Sequence, residues 1–184
     1  MKTTHRMPKY ISVTAALLIM LVTLSGCGYT LSRNPKACSA DACSVSIPLF
    51  MNDTLEPLVE KDVTAAIQEE ISMDGRWKLS DRDSADVVVE GRVTGFELLP
   101  LSYDAKERIL EYRLKIRSEI KVRRPKTDKL VWKGSLESYA DFRVTEDVTK
   151  TKVRRDEARR MASKKMAGEF IIRVLDVSEF QHEG

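Results

Sequence analysis

Few residues of this 184-residue chain combine the types and the spacing that a catalytic or metal site requires. The two histidines, His5 and His182, lie near opposite ends of the chain, so neither a Ser/His nor a Cys/His nucleophilic pair is indicated. The sequence contains no glycine-rich phosphate loop. Asp81, Asp83 and Asp86 cluster in a polar turn, where acids usually face solvent. We therefore expect no enzyme activity, no cofactor and no metal, with a catalytic carboxylate pair as the remaining enzymatic alternative.

The first cysteine stands in a pattern that indicates covalent lipid attachment. A basic start precedes an uncharged, mostly apolar run over residues 11–24, shorter than the about 20 residues that span a bilayer. The run leads into Leu-Ser-Gly-Cys27, which resembles the bacterial lipobox. The pattern predicts a signal peptide over residues 1–26 and a lipidated Cys27, and a single membrane anchor is the alternative. By resemblance to bacterial lipoproteins, in which an aspartate after the cysteine signals retention in the inner membrane, Gly28 favours transfer to the outer membrane.

The other two cysteines, Cys38 and Cys43, are separated by four residues. An exported protein meets an oxidising compartment, so a local disulfide between them is the favoured prediction. A metal pair is the alternative, but it needs two further ligands that the two histidines are badly placed to supply. We assign residues 27–43 to a lipidated tether.

The net charge of the chain comes from its signal peptide. Lys and Arg number 31 against 28 Asp and Glu, but three of the basic residues precede Cys27 and leave the mature part formally neutral. Basic residues concentrate over residues 113–129 and 150–165. They are either solvated faces or an anion-binding surface built on Arg113, Lys115 and Arg117. Nucleic acid is not an expected partner for an exported lipoprotein, whereas a phosphorylated lipid suits such a surface through charge-assisted hydrogen bonds.

Hydrophobic periodicity predicts an α+β domain over residues 44–180, followed by a tail over 181–184. Apolar and charged residues alternate over 110–123, as in a strand with one covered face and one wet face. Further strands are predicted over 45–50, 86–99 and 130–140, helices over 58–72 and 152–177, and polar loops over 100–108 and 143–152. The last two strands should form an antiparallel hairpin. The prediction is a two-layer sandwich, with a four-stranded sheet and two amphipathic helices on one face.

Two stretches resemble the LPS-assembly lipoprotein family, LptE. The first is Cys-Gly-Tyr-Thr-Leu over residues 27–31, and the second is Ile-Pro-Leu-Phe-Met-Asn-Asp-Thr-Leu-Glu-Pro over residues 47–57. Asp86 before a strand, Tyr112 and Trp132 also match that pattern, whereas the Cys38/Cys43 insert departs from it.

The resemblance implies a non-enzymatic protein that plugs the LptD β-barrel, helps it assemble and binds lipopolysaccharide. It also implies a lipid anchor in the outer membrane, on the periplasmic side, and the two-helix, four-stranded fold predicted above. By position, Lys106 and Arg108 before the third strand and Lys150 and Lys152 after the fourth are expected to contact lipopolysaccharide. The alternative is a periplasmic lipoprotein accessory of another envelope assembly, secretory or flagellar.

Overall fold

The computed structural model describes residues 43–176, and the side chains of residues 44–174. Six strands and two helices follow one another in this part of the chain. They are β1 Cys43–Ser46, β2 Met51–Asn52, α1 Val59–Asp74, β3 Trp77–Leu79, β4 Val87–Tyr103, β5 Ile109–Arg124, β6 Lys129–Arg143 and α2 Val148–Asp176. None of these described helices is both long enough and apolar enough to cross a membrane.

All six strands belong to one sheet with the order β3-β1-β4-β5-β6, and β2 pairs with β4 further along than β1 does. β1 is parallel to β3 and to β4, and β2 is parallel to β4. β4, β5 and β6 are long and antiparallel. The predicted hairpin of the last two strands is therefore confirmed as β5–β6.

The two helices and one face of the sheet enclose the hydrophobic core. The inward residues of β5 and the inner stripes of both helices are almost fully buried. The core includes Val63, Ile67, Ile71, Val89, Val93, Leu114, Ile116, Ile120, Leu136, Ala162, Met166 and Phe170. The two-layer α+β class is confirmed, but the sheet has six strands where four were predicted. β2 and β3 are only two and three residues long, too short to show a period of two in the sequence.

Two glycines on the inner face let aromatic rings lie directly on the sheet. Gly91 and Gly134 flank Ile120 at the same level, on β4 and β6. A Cβ on Gly91 would come within 2.0 Å of the Phe50 ring, and one on Gly134 within 2.5 Å of the Trp132 ring. The rings take the space that side chains would occupy at these positions.

A β-bulge in β4 changes the face on which its later residues lie. The register shifts between Val93 and Gly95, so Gly95 lies opposite Arg117 on the outer face and not on the side of Gly91. The strand then continues to Tyr103. The connection to β5 is therefore a tight turn and not a loop over residues 100–108.

Candidate functional site

The segment over residues 52–60, which includes the second half of the second resemblance motif, is held together by its own polar side chains. The Asn52 amide donates to the Glu56 carbonyl and to the Glu60 carboxylate, both at 2.8 Å. The Asn52 oxygen accepts from the Thr54 N–H at 2.9 Å and from its hydroxyl at 2.7 Å. The Thr54 hydroxyl accepts from the Glu56 N–H at 3.2 Å. The motif residues thus specify one loop conformation, because their hydrogen bonds are made within the segment.

An ionic cluster fastens this loop to α2. Arg159 is 8% exposed and contacts Asp62 at 2.5 Å, Asp156 at 3.0 Å and Glu56 at 3.3 Å. Arg155 also pairs with Glu56. Burial lowers the pKa of Arg159, but the hydrogen bond to Asp62 and the charges around it outweigh burial and raise that pKa. The cluster joins residues about 100 positions apart in the chain, and it fixes where the loop sits.

The predicted basic residues Arg113, Lys115 and Arg117 lie on the outer face of β5, but they form ion pairs with carboxylates of the neighbouring strands. Arg113 donates two hydrogen bonds to Asp141, at 2.8 and 2.9 Å. Lys115 contacts Glu137 at 2.8 Å, and Arg117 contacts the other oxygen of Glu137 at 3.3 Å. An incoming anion must therefore compete with acids already in place.

These contacts shift the pKa values of the acids. Hydrogen bonds from Arg113 lower the pKa of Asp141, and the hydrogen bond from Lys115 is the main cause of the lowered pKa of Glu137. The pKa of Arg113 is raised by its hydrogen bonds to Asp141. These shifts arise because hydrogen bonds to the charged form of a group stabilise that form. Such exposed pairs contribute little to stability, because water and salt screen them.

A second basic group lies at one end of the sheet, which we call the distal end: the turn over residues 104–108 with the loop and first helical turns over residues 143–152. The two connections meet there because β4 and β6 run in the same direction. A hydrogen bond from the Val144 N–H to the Leu110 carbonyl, at 2.9 Å, joins the loop to the start of β5. The sequence-predicted residues Lys106, Arg108, Lys150 and Lys152 are thus brought to one end of the domain.

Asp104 organises the first of these connections. Its Oδ1 accepts the N–H groups of Lys106 and Arg108, at 2.8 and 2.9 Å. The Arg108 guanidinium donates to Asp104 Oδ2 at 2.7 Å. Hydrogen bonds from the backbone and side chain of Arg108 lower the pKa of Asp104. The Lys106 ammonium is left exposed, with no ion pair to another described residue.

The second connection differs from the prediction, since Lys150 and Lys152 lie in the first turns of α2 and not in a loop. Asp147 precedes the helix, and its Oδ1 accepts the N–H groups of Thr149 and Lys150 at 2.9 and 3.1 Å, as an N-cap does. Lys150 approaches Asp147 at 3.6 Å. Within the described part of the chain the exposed Lys152 makes no ion pair.

Exposed apolar side chains lie on the strand ends next to these cations, which sequence reasoning did not anticipate. Leu99, Leu101, Tyr103 and Leu110 are 43, 41, 57 and 46% exposed on the part of the β4–β5 hairpin nearest the turn. The signal was present in the sequence as an apolar run before the polar turn. The distal end is therefore amphiphilic, with ammonium groups beside exposed hydrocarbon.

Several predicted features lie outside the described residues. They are the signal peptide over residues 1–26, the tail over residues 181–184, Cys27, Cys38 and the side chain of Cys43. Lipidation and the disulfide remain predictions. Among the described residues, no group of three or more His, Cys, Asp and Glu side chains is arranged to hold a metal ion.

Comparison with known proteins relates the chain to one family and to several solved folds. No curated protein matches it at a significant level. The chain resembles protein XCC0632 of Xanthomonas campestris with a TM-score of 0.53 and 10% identity, over 79% of this chain and 93% of that one. It resembles protein CT253 of Chlamydia trachomatis with a TM-score of 0.52 and 9% identity, over 72% and 95% of the two chains. These likenesses concern the fold alone. The model of the lipopolysaccharide-assembly family LptE matches residues 43–174, and the chain belongs to this family.

Proposed function

We propose that the protein is an outer-membrane lipoprotein that plugs an LptD-type β-barrel, assists its assembly, and binds lipopolysaccharide during insertion into the outer leaflet. The observation that carries this proposal is the family match over residues 43–174, which spans nearly the whole described domain. It favours this role over that of an accessory in a secretion or flagellar assembly. The proposal includes no catalytic step.

The distal end supports the lipid-binding part of the proposal. Lipopolysaccharide combines phosphate groups with acyl chains, and the distal end combines exposed ammonium groups with exposed apolar side chains. Lys106 and Lys152 are free to donate charge-assisted hydrogen bonds to phosphate. Arg108 and Lys150 are held by Asp104 and Asp147, and we assign them supporting contacts. We expect Arg113, Lys115 and Arg117 to contribute less to lipopolysaccharide binding, because carboxylates already neutralise them.

The outer face of the sheet supports the barrel part. Barrel lumens are polar, and this face presents a row of charged groups whose signs alternate across the strands. Arg117, for example, contacts Glu137 on one side and Glu97 on the other, at 3.3 and 3.8 Å. A face with locally balanced charge can lie against a polar wall without burying an unpaired ion. We further propose that lipidated Cys27 holds the protein at the periplasmic side of the outer membrane.

Co-purification from membranes in mild detergent tests the proposal. The tagged full-length protein should recover an LptD-type barrel and lipopolysaccharide, and mass spectrometry should find an acylated cysteine at its mature N-terminus. The double variant Lys106→Gln/Lys152→Gln should lose lipopolysaccharide about tenfold while keeping the barrel, because two phosphate contacts are removed. Lys61→Gln/Lys78→Gln is the matched control, since it changes charge equally at exposed positions elsewhere. Persistent absence of the barrel with the wild type would refute the proposal.

A further inference from the structure

The loop over residues 49–58 exposes large apolar side chains to solvent, while several of its polar side chains bind one another. Leu49, Met51, Leu55 and Leu58 are 58, 58, 104 and 48% exposed. A single exposed leucine needs no explanation, but four large exposed apolar side chains within ten residues are typical of interaction sites. Meanwhile the loop's asparagine, threonine and glutamate bind one another, as described above.

The loop is also held in this arrangement from the core side. The Phe50 ring is 2% exposed, and the Phe50 N–H donates to the Thr64 hydroxyl at 3.0 Å. Glu56 is tied to Arg155 and Arg159. Leu58 has φ 70°, a left-handed conformation that is unfavourable for a leucine. A strained leucine persists only where its surroundings fix it, so the apolar tip is displayed by a preorganised frame.

We propose that the 49–58 loop is a docking anchor, with Leu55 at its centre, that inserts into an apolar pocket of a protein partner. Buried anchors of this kind dominate binding energy at protein interfaces, and a preorganised one loses little conformational entropy on binding. If the proposed function holds, that partner is the barrel protein.

The neighbouring strand edge selects a protein over a bilayer as the occupant. Within the described residues, the last backbone bond to this edge of β4 is the one from the Asp53 N–H to the Val93 carbonyl, at 3.0 Å. No described strand pairs with the same edge from there to Tyr103. The loop lies beside it, since Arg155 pairs with Glu56 and its guanidinium also lies over the Phe96 ring of β4. Hydrocarbon cannot satisfy the N–H and C=O groups of this edge, whereas a protein can.

The charged residues of the loop itself also favour a protein over a bilayer. Residues 49–62 hold four acids and one lysine, and three of the acids, Asp53, Glu56 and Asp62, pair with arginines of β4 and α2. Loops that enter membranes gain affinity from basic residues facing anionic headgroups. The 49–58 loop contains no basic residue, so contact with a bilayer is disfavoured.

Leu55→Gln in the full-length lipoprotein tests the inference, with Met73→Gln as the matched control. Met73 is 67% exposed at the opposite end of α1, so each change removes an exposed apolar side chain without altering charge. Both variants should fold as the wild type, which circular dichroism and thermal unfolding check. Leu55→Gln should lower barrel recovery about tenfold, the loss expected for an anchor residue, and leave lipopolysaccharide binding unchanged. Met73→Gln should recover the barrel normally.

Three other outcomes overturn the inference. Normal barrel recovery by Leu55→Gln would mean that the loop is not an anchor, while leaving the proposed function intact. Reduced flotation of Leu55→Gln with barrel-free phospholipid vesicles, at normal barrel recovery, would assign the loop to the membrane surface. Failure of the wild type to recover the barrel would refute the proposed function and this inference together.

Discussion

Replacement of Arg159 by methionine should destabilise the domain strongly, although arginine is seldom a core residue. Its side chain is 8% exposed, and its acidic partners Glu56, Asp62 and Asp156 are 12, 21 and 32% exposed. Methionine preserves most of the apolar stem but removes the cation. Three carboxylates then face one another with less compensation in a poorly hydrated site.

The magnitude follows from which acids lose their partner. Breaking a buried ion pair from one side costs about 3–5 kcal/mol. Glu56 keeps Arg155, and Asp156 is a third exposed, so Asp62 bears most of the loss. The lower value, about 3 kcal/mol, is therefore expected. For a domain of this size it corresponds to a fall in Tm of about 6–12 °C.

Urea unfolding followed by circular dichroism measures the effect. The control is Arg160→Met, which removes an exposed arginine one position further along α2 and should stay within about 0.5 kcal/mol of the wild type. Equal midpoints for the two variants would refute the argument. A double variant, Arg159→Met/Asp62→Leu, tests its cause: it should be less destabilised than the sum of the single changes, because no stranded carboxylate remains at position 62. Strict additivity would show that uncompensated charge is not the reason.

Two further expectations concern packing and pH. Gly91→Ala should cost about 1–3 kcal/mol of unfolding free energy, because the new Cβ would meet a phenyl ring at 2.0 Å, and unchanged stability in urea titration would contradict the close packing. Hydrogen bonds from Arg113 lower the pKa of Asp141 from 3.8, so the stability of this pair is complete above that value and is lost as pH falls through the lowered one. Asp141→Asn should cost less than about 1 kcal/mol at pH 7 and should flatten the pH dependence below about pH 4; parallel pH profiles of the two proteins would exclude the pair as a contributor.

Strand β5 was predictable because its period of two extends over the whole element. What the alternation cannot supply is the partner of each charge, since the cross-strand register depends on turns and bulges. The bulge between Val93 and Gly95 is one example, for it exchanges the faces of the residues that follow. The pairs of Arg113 with Asp141 and of Lys115 with Glu137 therefore could not be predicted without the cross-strand register.

The buried ionic cluster illustrates a different limit. Arg159 lies in a run of basic residues that looks uniform, and only its position beside the apolar stripe of Ala158 and Ala162 distinguishes it. A residue at the border of such a stripe is either exposed or buried, depending on what the facing helix supplies. Here α1 supplies Asp62 and the loop before it supplies Glu56. Whether Arg159 is buried depends on its pairing with distant segments, and local hydrophobic periodicity carries no information about that pairing.

The two basic regions of this protein differ in what their carboxylates bind. On the outer face, Glu137 and Asp141 neutralise side chains. At the distal end, one oxygen each of Asp104 and Asp147 accepts backbone N–H groups, which builds a turn and caps a helix, while the other oxygen pairs with Arg108 or Lys150. Lys106 therefore has no ion-pair partner among the described residues, although the density of basic residues around it is lower. We therefore expect anions to bind at the distal end, where the acids accept backbone N–H groups, and not on the outer face, where lysine and arginine are most numerous.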